Sequence, residues 1–178
     1  MIEWLRFIGL LNASLWLGAC IYHVCGAAPA LSSAEVDRIL GPSNAPYFAP
    51  AIAQVVDQRF FQFQLIFALL AWAHVIAVWL YVGRAPNKVW QILLGALLAL
   101  SLLQAFAVQP KLRSAHLAKY SRQVAPPARA TAARTFRAWH NVSFVFTLLQ
   151  VGGLACYYWR VSNPSEATRF VSAVKFRS

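Results

Sequence analysis

The sequence predicts an all-α integral membrane protein: a four-helix bundle with a basic interfacial helical loop between its third and fourth spans. Apolar residues make up 60% of the 178 residues and charged residues only 12%, against about 45–50% and 25% in soluble domains. The 16 basic and 5 acidic residues give a net charge of +11. A soluble domain of this composition would expose large apolar patches, and disorder requires low hydrophobicity, so both classes are excluded.

Four runs that contain no Lys, Arg, Asp or Glu are each long enough to cross a bilayer. About 20 helical residues, each rising 1.5 Å, span a hydrocarbon core about 30 Å thick. The four runs cover residues 7–34, 60–83, 89–110 and 138–159. We therefore place the spans at about 4–28, 60–82, 88–109 and 138–160, within a single transmembrane domain of residues 1–178.

The first connection, residues 30–59, is rich in residues that interrupt helices. Gly26 and Pro29 are expected to end the first span, because both disfavour a helix interior. Prolines at 42, 46 and 50 then predict irregular coil. Residues 35–40 are expected to form one short helix after the capping residues Ser32 and Ser33.

The second connection is short, and this determines the topology. Gly83, Pro86 and Asn87 form a breaker cluster typical of a tight turn, so spans two and three are expected to form an antiparallel hairpin. Four spans then place both termini on one side of the membrane. Lys and Arg residues are almost evenly divided between the two sides, with a slight bias that favours a cytoplasmic basic loop. We expect a multi-pass protein of the bacterial inner (cytoplasmic) membrane.

The third connection, residues 110–137, is strongly basic and has no acidic residue. Its basic residues are Lys111, Arg113, Lys119, Arg122, Arg129, Arg134 and Arg137. Pro126 and Pro127 are expected to divide it into two helical pieces, the second continuing into span four. Such a segment suits anionic lipid headgroups. The expected partners are the lipid bilayer, other membrane proteins or a second copy of the chain, and no nucleic acid, because no nucleic-acid motif is present.

Polar side chains within the spans predict a polar bundle core, because such groups face other helices rather than lipid. In span four, four polar residues follow a 3-4-3 spacing that places them on one seam: His140, Ser143, Thr147 and Gln150. Asn12 and His23 share a face of span one, about three helical turns apart. The predicted polar core consists of Asn12, His74, Gln104, Ser143, Thr147 and Gln150.

His23 and His140 are expected at similar depth near the loop side, which allows two interpretations. Either they bond to neighbouring helices, or they hold haem b or a metal, since imidazole is a common axial ligand and bundles hold cofactors between helices. The chain has no Walker loop, no His-Glu-x-x-His and no Gly-x-Ser-x-Gly. No catalytic residue is therefore predicted, and the chain is not expected to be an enzyme.

Several motifs together resemble a known family. They are Trp16-Leu17-Gly18, Pro29, Pro110 with Arg113, and Phe136-x-x-x-His140-x-x-Ser143. This pattern, over roughly residues 5–160, resembles the four-helix membrane family of domain of unknown function 4149, which includes relatives of transmembrane protein 205. The resemblance implies a four-span bundle, draws attention to His140 and Ser143, and implies no reaction.

These observations favour a non-enzymatic membrane bundle, acting as an accessory or scaffold subunit or as a small-solute conduit. The absence of carboxylates from the four apolar runs disfavours a cation-coupled transporter, which usually keeps such a group to bind its ion. The alternative is a haem b or metal-binding redox protein with His23 and His140 as ligands.

Overall fold

The computed structural model describes residues 2–83, 87–121, 123 and 125–163, and within them the protein forms five helices and no strand. The helices are α1 (Ile2–Tyr22, a π-helical turn at His23–Ala27, then Ala28–Leu31), α2 (Ala34–Leu40), α3 (Ala45–Val82), α4 (Lys88–Leu103, a π-helical turn at Gln104–Val108, then Gln109–Tyr120) and α5 (Pro126–Ser162). All except α2 are long and apolar enough to cross a membrane. The predicted all-α, multi-pass architecture is confirmed.

The first connection is far more helical than predicted. The short helix expected at 35–40 is present as α2, where the Ser33 hydroxyl accepts a hydrogen bond from the backbone N–H of Val36 at 3.4 Å. The prediction of coil up to residue 59 is wrong, because α3 already begins at Ala45. Pro46 lies in the first turn of α3, where the missing N–H costs nothing. Pro50 lies inside the same helix.

The turns at the other two connections agree with the sequence. Gly83 ends α3 with a positive φ of 69°, and the Asn87 side chain accepts a hydrogen bond from the N–H of Val89 at 3.0 Å to begin α4. Residues 84–86, which include the predicted turn proline, lie outside the described residues, as does Arg122 of the basic loop. The basic loop divides as expected, since α4 ends at Tyr120 and α5 runs without interruption from Pro126 into the fourth span.

Two π-helical turns occur at corresponding points of α1 and α4. One begins at His23, whose carbonyl oxygen accepts a hydrogen bond from the N–H of Ala28. The other begins at Gln104, whose carbonyl oxygen accepts a hydrogen bond from the N–H of Gln109. A proline follows six residues after each start, Pro29 in α1 and Pro110 in α4. Proline lacks an N–H and clashes with the preceding turn, and the wider turn accommodates it without ending the helix. Gly26 and Pro29 therefore do not end the helix, which continues to Leu31, while the position at which the first span ends stays a prediction.

The same spacing of buried positions occurs in both halves of the chain. Helices α1 and α4 each bury a 3-4-3 set that ends at the start of the π turn: Ala13, Trp16, Cys20 and His23 in α1, and Leu94, Leu97, Ser101 and Gln104 in α4. Helices α3 and α5 share a 4-3-4-3 set. In α3 it consists of the partly buried Asp57 and the buried Phe61, Gln64, Ala68 and Ala71, and in α5 of the buried Ser143, Thr147, Gln150, Leu154 and Tyr157. We call α1 with α3 the first hairpin and α4 with α5 the second hairpin.

The four long helices pack so that α3 and α5 each contact both α1 and α4. The apolar part of the core combines both hairpins, since Trp16, Phe61, Leu97 and Leu154 belong to one cluster of buried residues. Spacings of three and four residues on every helix are typical of antiparallel bundle packing. The two hairpins thus bury residues at the same spacing, and the residue types at these positions differ between them.

Candidate functional site

The second hairpin contains two layers in which a glutamine amide bonds to a hydroxyl on the facing helix. Gln104 Nε2 of α4 donates to Thr147 Oγ1 of α5 at 3.0 Å. One turn away, Gln150 Nε2 of α5 donates to Ser101 Oγ of α4 at 2.7 Å. Interhelical bonds of this kind hold transmembrane helices together. We call these four residues with Ser143 the amide seam.

The hydroxyl groups of Ser101 and Thr147 donate to backbone carbonyl oxygens of their own helices. Thr147 Oγ1 donates to the Ser143 carbonyl oxygen at 2.9 Å, and Ser101 Oγ donates to the Leu97 carbonyl oxygen at 2.9 Å. Gln104 Nε2 also lies 3.4 Å from the Ser143 carbonyl oxygen. The sequence prediction that Gln104, Ser143, Thr147 and Gln150 face the bundle interior thus corresponds to buried side chains that meet across α4 and α5.

Three buried glutamines have side-chain carbonyl oxygens with no hydrogen-bond partner among the residues that the structure describes. This applies to Oε1 of Gln104 and of Gln150, whose side chains are 0% exposed. Gln64, at the position of α3 equivalent to Gln150, is 1% exposed, and neither its Oε1 nor its Nε2 has a partner. Because burying an unpaired amide group costs free energy, such groups in a native interior call for a partner. The interior therefore offers acceptor oxygens to a hydrogen-bond donor.

The other predicted core residues lie between α1 and α3. Asn12 Nδ2 donates to the Phe67 carbonyl oxygen at 3.1 Å. His74 is half-buried, and its Nε2 lies 2.9 Å from the Leu5 carbonyl oxygen, where it donates the hydrogen bond, since a carbonyl oxygen only accepts. The imidazole packs directly on Gly9. Asn12 and His74 thus connect α1 with α3 and do not contact the amide seam through these bonds.

His23 lies against an acidic side chain of the facing helix. Its Nε2 lies 3.3 Å from Asp57 Oδ1 of α3, with the two side chains 10% and 18% exposed. The imidazole also stacks on Phe60, with ring centroids 3.8 Å apart and planes 9° apart. Sequence reasoning missed Asp57 because span two was expected to begin at Phe60. The position of Asp57 one turn before Phe60 is the signal that could have revealed it.

His140, the other candidate ligand, lies in a different environment. Its side chain is exposed and its ring stacks on Phe136 of the same helix, with centroids 6.2 Å apart. The ring contacts of His23 and His140 therefore involve different residues. Within the described ranges, no group of three or more His, Cys, Asp or Glu side chains lies close enough together to hold a metal ion.

The histidine of the basic loop, His116, is buried. This side chain is 3% exposed and packs among three aromatic rings, those of Tyr47, Tyr120 and Phe136, with centroid distances of 5.2, 5.1 and 5.9 Å. The cluster exists because α3 begins early and α4 continues to Tyr120, so that both extensions pack together with α5. The sequence did not predict that the start of α3 and the end of α4 pack against each other.

Comparison with known families gives one match over more than half of the chain. The family model described as domain of unknown function (DUF4149) matches residues 11–121. The chain belongs to this family. In this DUF4149 protein the matched range contains both π turns and the whole of α2, α3 and α4. The resemblance carried by Phe136, His140 and Ser143 lies beyond the match, and the likeness to transmembrane protein 205 relatives stays a prediction. No curated protein and no solved structure matches the chain.

Proposed function

We propose that this membrane protein is a non-enzymatic bundle that binds a small, uncharged, hydrogen-bond-donating solute, as a small-solute conduit must. A single observation carries the proposal: the buried glutamines Gln64, Gln104 and Gln150 have amide carbonyl oxygens with no donor in the described part of the chain. A solute with N–H or O–H groups satisfies such acceptors.

The composition of the site indicates the class of solute. No Lys, Arg, Asp or Glu belongs to the amide seam, and no such residue lies between Phe60 and Gly83 around Gln64. A charged solute would have no counter-ion there, and its desolvation would be costly. The hydroxyls of Ser101 and Thr147 already donate to backbone carbonyls. Donor groups on small neutral molecules, such as short polyols, amides or ammonia, therefore fit best.

The haem or metal alternative is less well supported by the geometry. An axial ligand uses a free imidazole nitrogen, and His23 Nε2 already faces Asp57 at 3.3 Å. His140 is exposed beside Phe136. The alternative stays a prediction, and a visible absorption spectrum of the purified protein, oxidised and then reduced with dithionite, tests it directly. A Soret band lost in His23→Ala or His140→Ala would establish haem.

The conduit is tested in vesicles that contain the purified full-length protein. Swelling in glycerol, urea or ammonium gradients, followed by light scattering, measures entry of the neutral solute. We expect entry faster than in protein-free vesicles, and a loss of about tenfold, equivalent to about 1.4 kcal/mol of binding, in Gln64→Leu and Gln150→Leu.

The matched control for these variants is Gln62→Leu. Gln62 lies on the same helix as Gln64, but its side chain is exposed and accepts a hydrogen bond from Arg59 at 3.2 Å. This variant should keep the wild-type rate. Entry no faster than in protein-free vesicles for all three solutes would overturn the conduit and leave the accessory or scaffold function as the better interpretation.

A further inference from the structure

The indole of Trp16 adds a hydrogen-bond donor to the interior that contains the unpaired glutamine oxygens. The Trp16 side chain is 0% exposed, and its Nε1–H has no acceptor among the residues that the structure describes. Gln64 of α3 likewise has no partner for Nε2 or for Oε1 in this part of the chain. An indole nitrogen only donates, whereas an amide group both donates and accepts. Trp16 and Gln64 thus bring unpaired donor groups into the bundle that holds the unpaired acceptor oxygens.

Contacts between α1 and α3 place Trp16 and Gln64 at one level of the bundle. Asn12 donates a hydrogen bond to the Phe67 carbonyl oxygen at 3.1 Å. Trp16 follows Asn12 by four residues and Gln64 precedes Phe67 by three. These separations correspond to about 6 Å and about 4.5 Å along two antiparallel helices. The His23 contact with α3 at 3.3 Å lies on the other side of this level, so both ends of the stretch are fixed by a contact.

Contacts between α3 and α4 place the amide seam at this level as well. A methyl group added to Gly95 of α4 would lie 4.0 Å from the Trp72 ring of α3. Gln64 precedes Trp72 by eight residues and Gln104 follows Gly95 by nine, which corresponds to about 12 Å and about 13.5 Å. The bond of Gln150 to α4 lies three residues from that of Gln104. Buried unpaired groups from all four long helices therefore lie within about one helical turn of one another along the bundle.

The hydroxyl groups of the amide seam determine which end of each glutamine stays unpaired. The hydroxyl protons of Ser101 and Thr147 go to backbone carbonyl oxygens, so each hydroxyl oxygen accepts from a glutamine Nε2. The end without a donor in the described residues is therefore Oε1, in Gln104 and in Gln150. Helix α1 thus supplies a donor through Trp16, while α4 and α5 supply acceptors. A molecule bound between them must accept a hydrogen bond on one side and donate on the other.

We propose that this level is a binding site for urea and primary carboxamides, with Trp16 as its specificity-determining residue. The carbonyl oxygen of the solute accepts from the Trp16 indole, and its NH2 group donates to Oε1 of Gln104 or Gln150. The amide of Gln64 bonds to either end of the solute. The inference rests on the proposed function and narrows its class of solute. A polyol has no group that only accepts, and ammonia has a single acceptor lone pair, so both match this divided lining less well.

Vesicle swelling with urea, acetamide and glycerol tests the site in the purified full-length protein. After subtraction of the rate in protein-free vesicles, the two amides should enter faster than glycerol. Trp16→Phe keeps an aromatic ring and removes the N–H donor. Entry of both amides should therefore fall about tenfold, the effect of one hydrogen bond, while entry of glycerol changes less.

Trp72→Phe makes the same change at a different level. The Nε1 of Trp72 also has no partner among the described residues, but Trp72 lies about 12 Å along α3 from Gln64. This variant should keep the wild-type rates. An equal loss for the amides in Trp72→Phe, or an equal loss for amides and glycerol in Trp16→Phe, would overturn the inference.

A binding measurement separates this inference from the conduit. Indole N–H resonances of the detergent-solubilised protein, labelled with nitrogen-15 tryptophan, are followed while acetamide is added. The Trp16 resonance is identified by its loss in Trp16→Phe, and acetamide should shift it while leaving that of Trp72 in place. Such a shift without entry into vesicles would support the site and overturn the conduit. Entry of solutes with no shift of the Trp16 resonance would overturn the site and leave the conduit intact.

Discussion

The Tyr120 hydroxyl donates a hydrogen bond to the carbonyl oxygen of Pro46, across the contact between the end of α4 and the start of α3. In a regular helix this carbonyl would accept the N–H of residue 50, but residue 50 is a proline and has none. Tyr120 therefore satisfies a backbone acceptor that Pro50 leaves open. The same ring packs edge-on against Tyr47 at 5.2 Å, which secures the extension of α4 on the first turns of α3.

This relationship predicts a non-additive pair of substitutions. Tyr120→Phe should destabilise the protein by about 1 kcal/mol, the net contribution of one hydrogen bond. Pro50→Ala restores a backbone donor to the Pro46 carbonyl oxygen, so Tyr120→Phe should cost less in that background. Thermal unfolding of the wild type, both single variants and the double variant measures the coupling. Equal costs in both backgrounds would show that the hydroxyl does not replace the missing N–H.

Gly9 should tolerate no side chain, because α1 and α3 approach closely there. A methyl group on Gly9 would lie 2.6 Å from Nε2 of His74, whose hydrogen bond to Leu5 links the two helices. Gly9→Ala should therefore cost about 1–3 kcal/mol, as overpacking does. Gly18→Ala on the same helix is the control, since nothing lies within 4 Å of its added methyl group. A Gly9→Ala protein as stable as Gly18→Ala, measured by thermal unfolding, would contradict the close approach.

The glutamines of the amide seam should matter more for solute entry than for stability. In Gln104→Leu, Thr147 still donates to the Ser143 carbonyl oxygen, so no hydroxyl is left unpaired. The loss of one interhelical bond in a membrane bundle averages about 0.6 kcal/mol. We therefore expect Gln104→Leu to unfold within a few degrees of the wild type while solute entry falls. Thermal unfolding of the purified variant measures the first effect, and the vesicle swelling assay measures the second. A large loss of stability would mean that the seam is mainly structural.

The basic loop should bind anionic headgroups more tightly than the opposite end of the bundle. Arg113 and Arg137 are exposed on the loop side, and Lys111 lies over the Trp139 ring at 4.2 Å. Each basic residue near an anionic surface contributes about 1 kcal/mol, or about fivefold in affinity. Arg113→Gln/Arg137→Gln should thus weaken retention of phosphatidylglycerol in native mass spectrometry by about 25-fold, the square of fivefold. The exposed pair at the other end, Arg6→Gln/Lys88→Gln, should have a smaller effect, and the reverse order would refute the prediction.

Part of the candidate site could be predicted from residue spacing. The 3-4-3 spacing in span four places Ser143, Thr147 and Gln150 on one face, and Gln104 follows because a polar side chain in an apolar span must face another helix. Asp57 could not be placed in this way, since prolines upstream of it predicted coil. A proline ends a helix only where its missing donor and its bulk find no compensation. In this chain the Tyr120 hydroxyl bonds to the Pro46 carbonyl oxygen that Pro50 leaves without a donor, and a π turn precedes both Pro29 and Pro110. At all three prolines the helix continues.

Composition and local spacing by themselves determined that the chain is an all-α membrane protein with four apolar spans. Backbone polar groups in lipid must pair within a helix, and the length of an apolar run determines whether that helix can cross the bilayer. Tertiary structure decided the partners: Gln104 with Thr147, Gln150 with Ser101, and His23 with Asp57. Those pairings depend on the relative register of helices that are distant in sequence. Register follows from the packing of whole helix surfaces, which no single segment specifies.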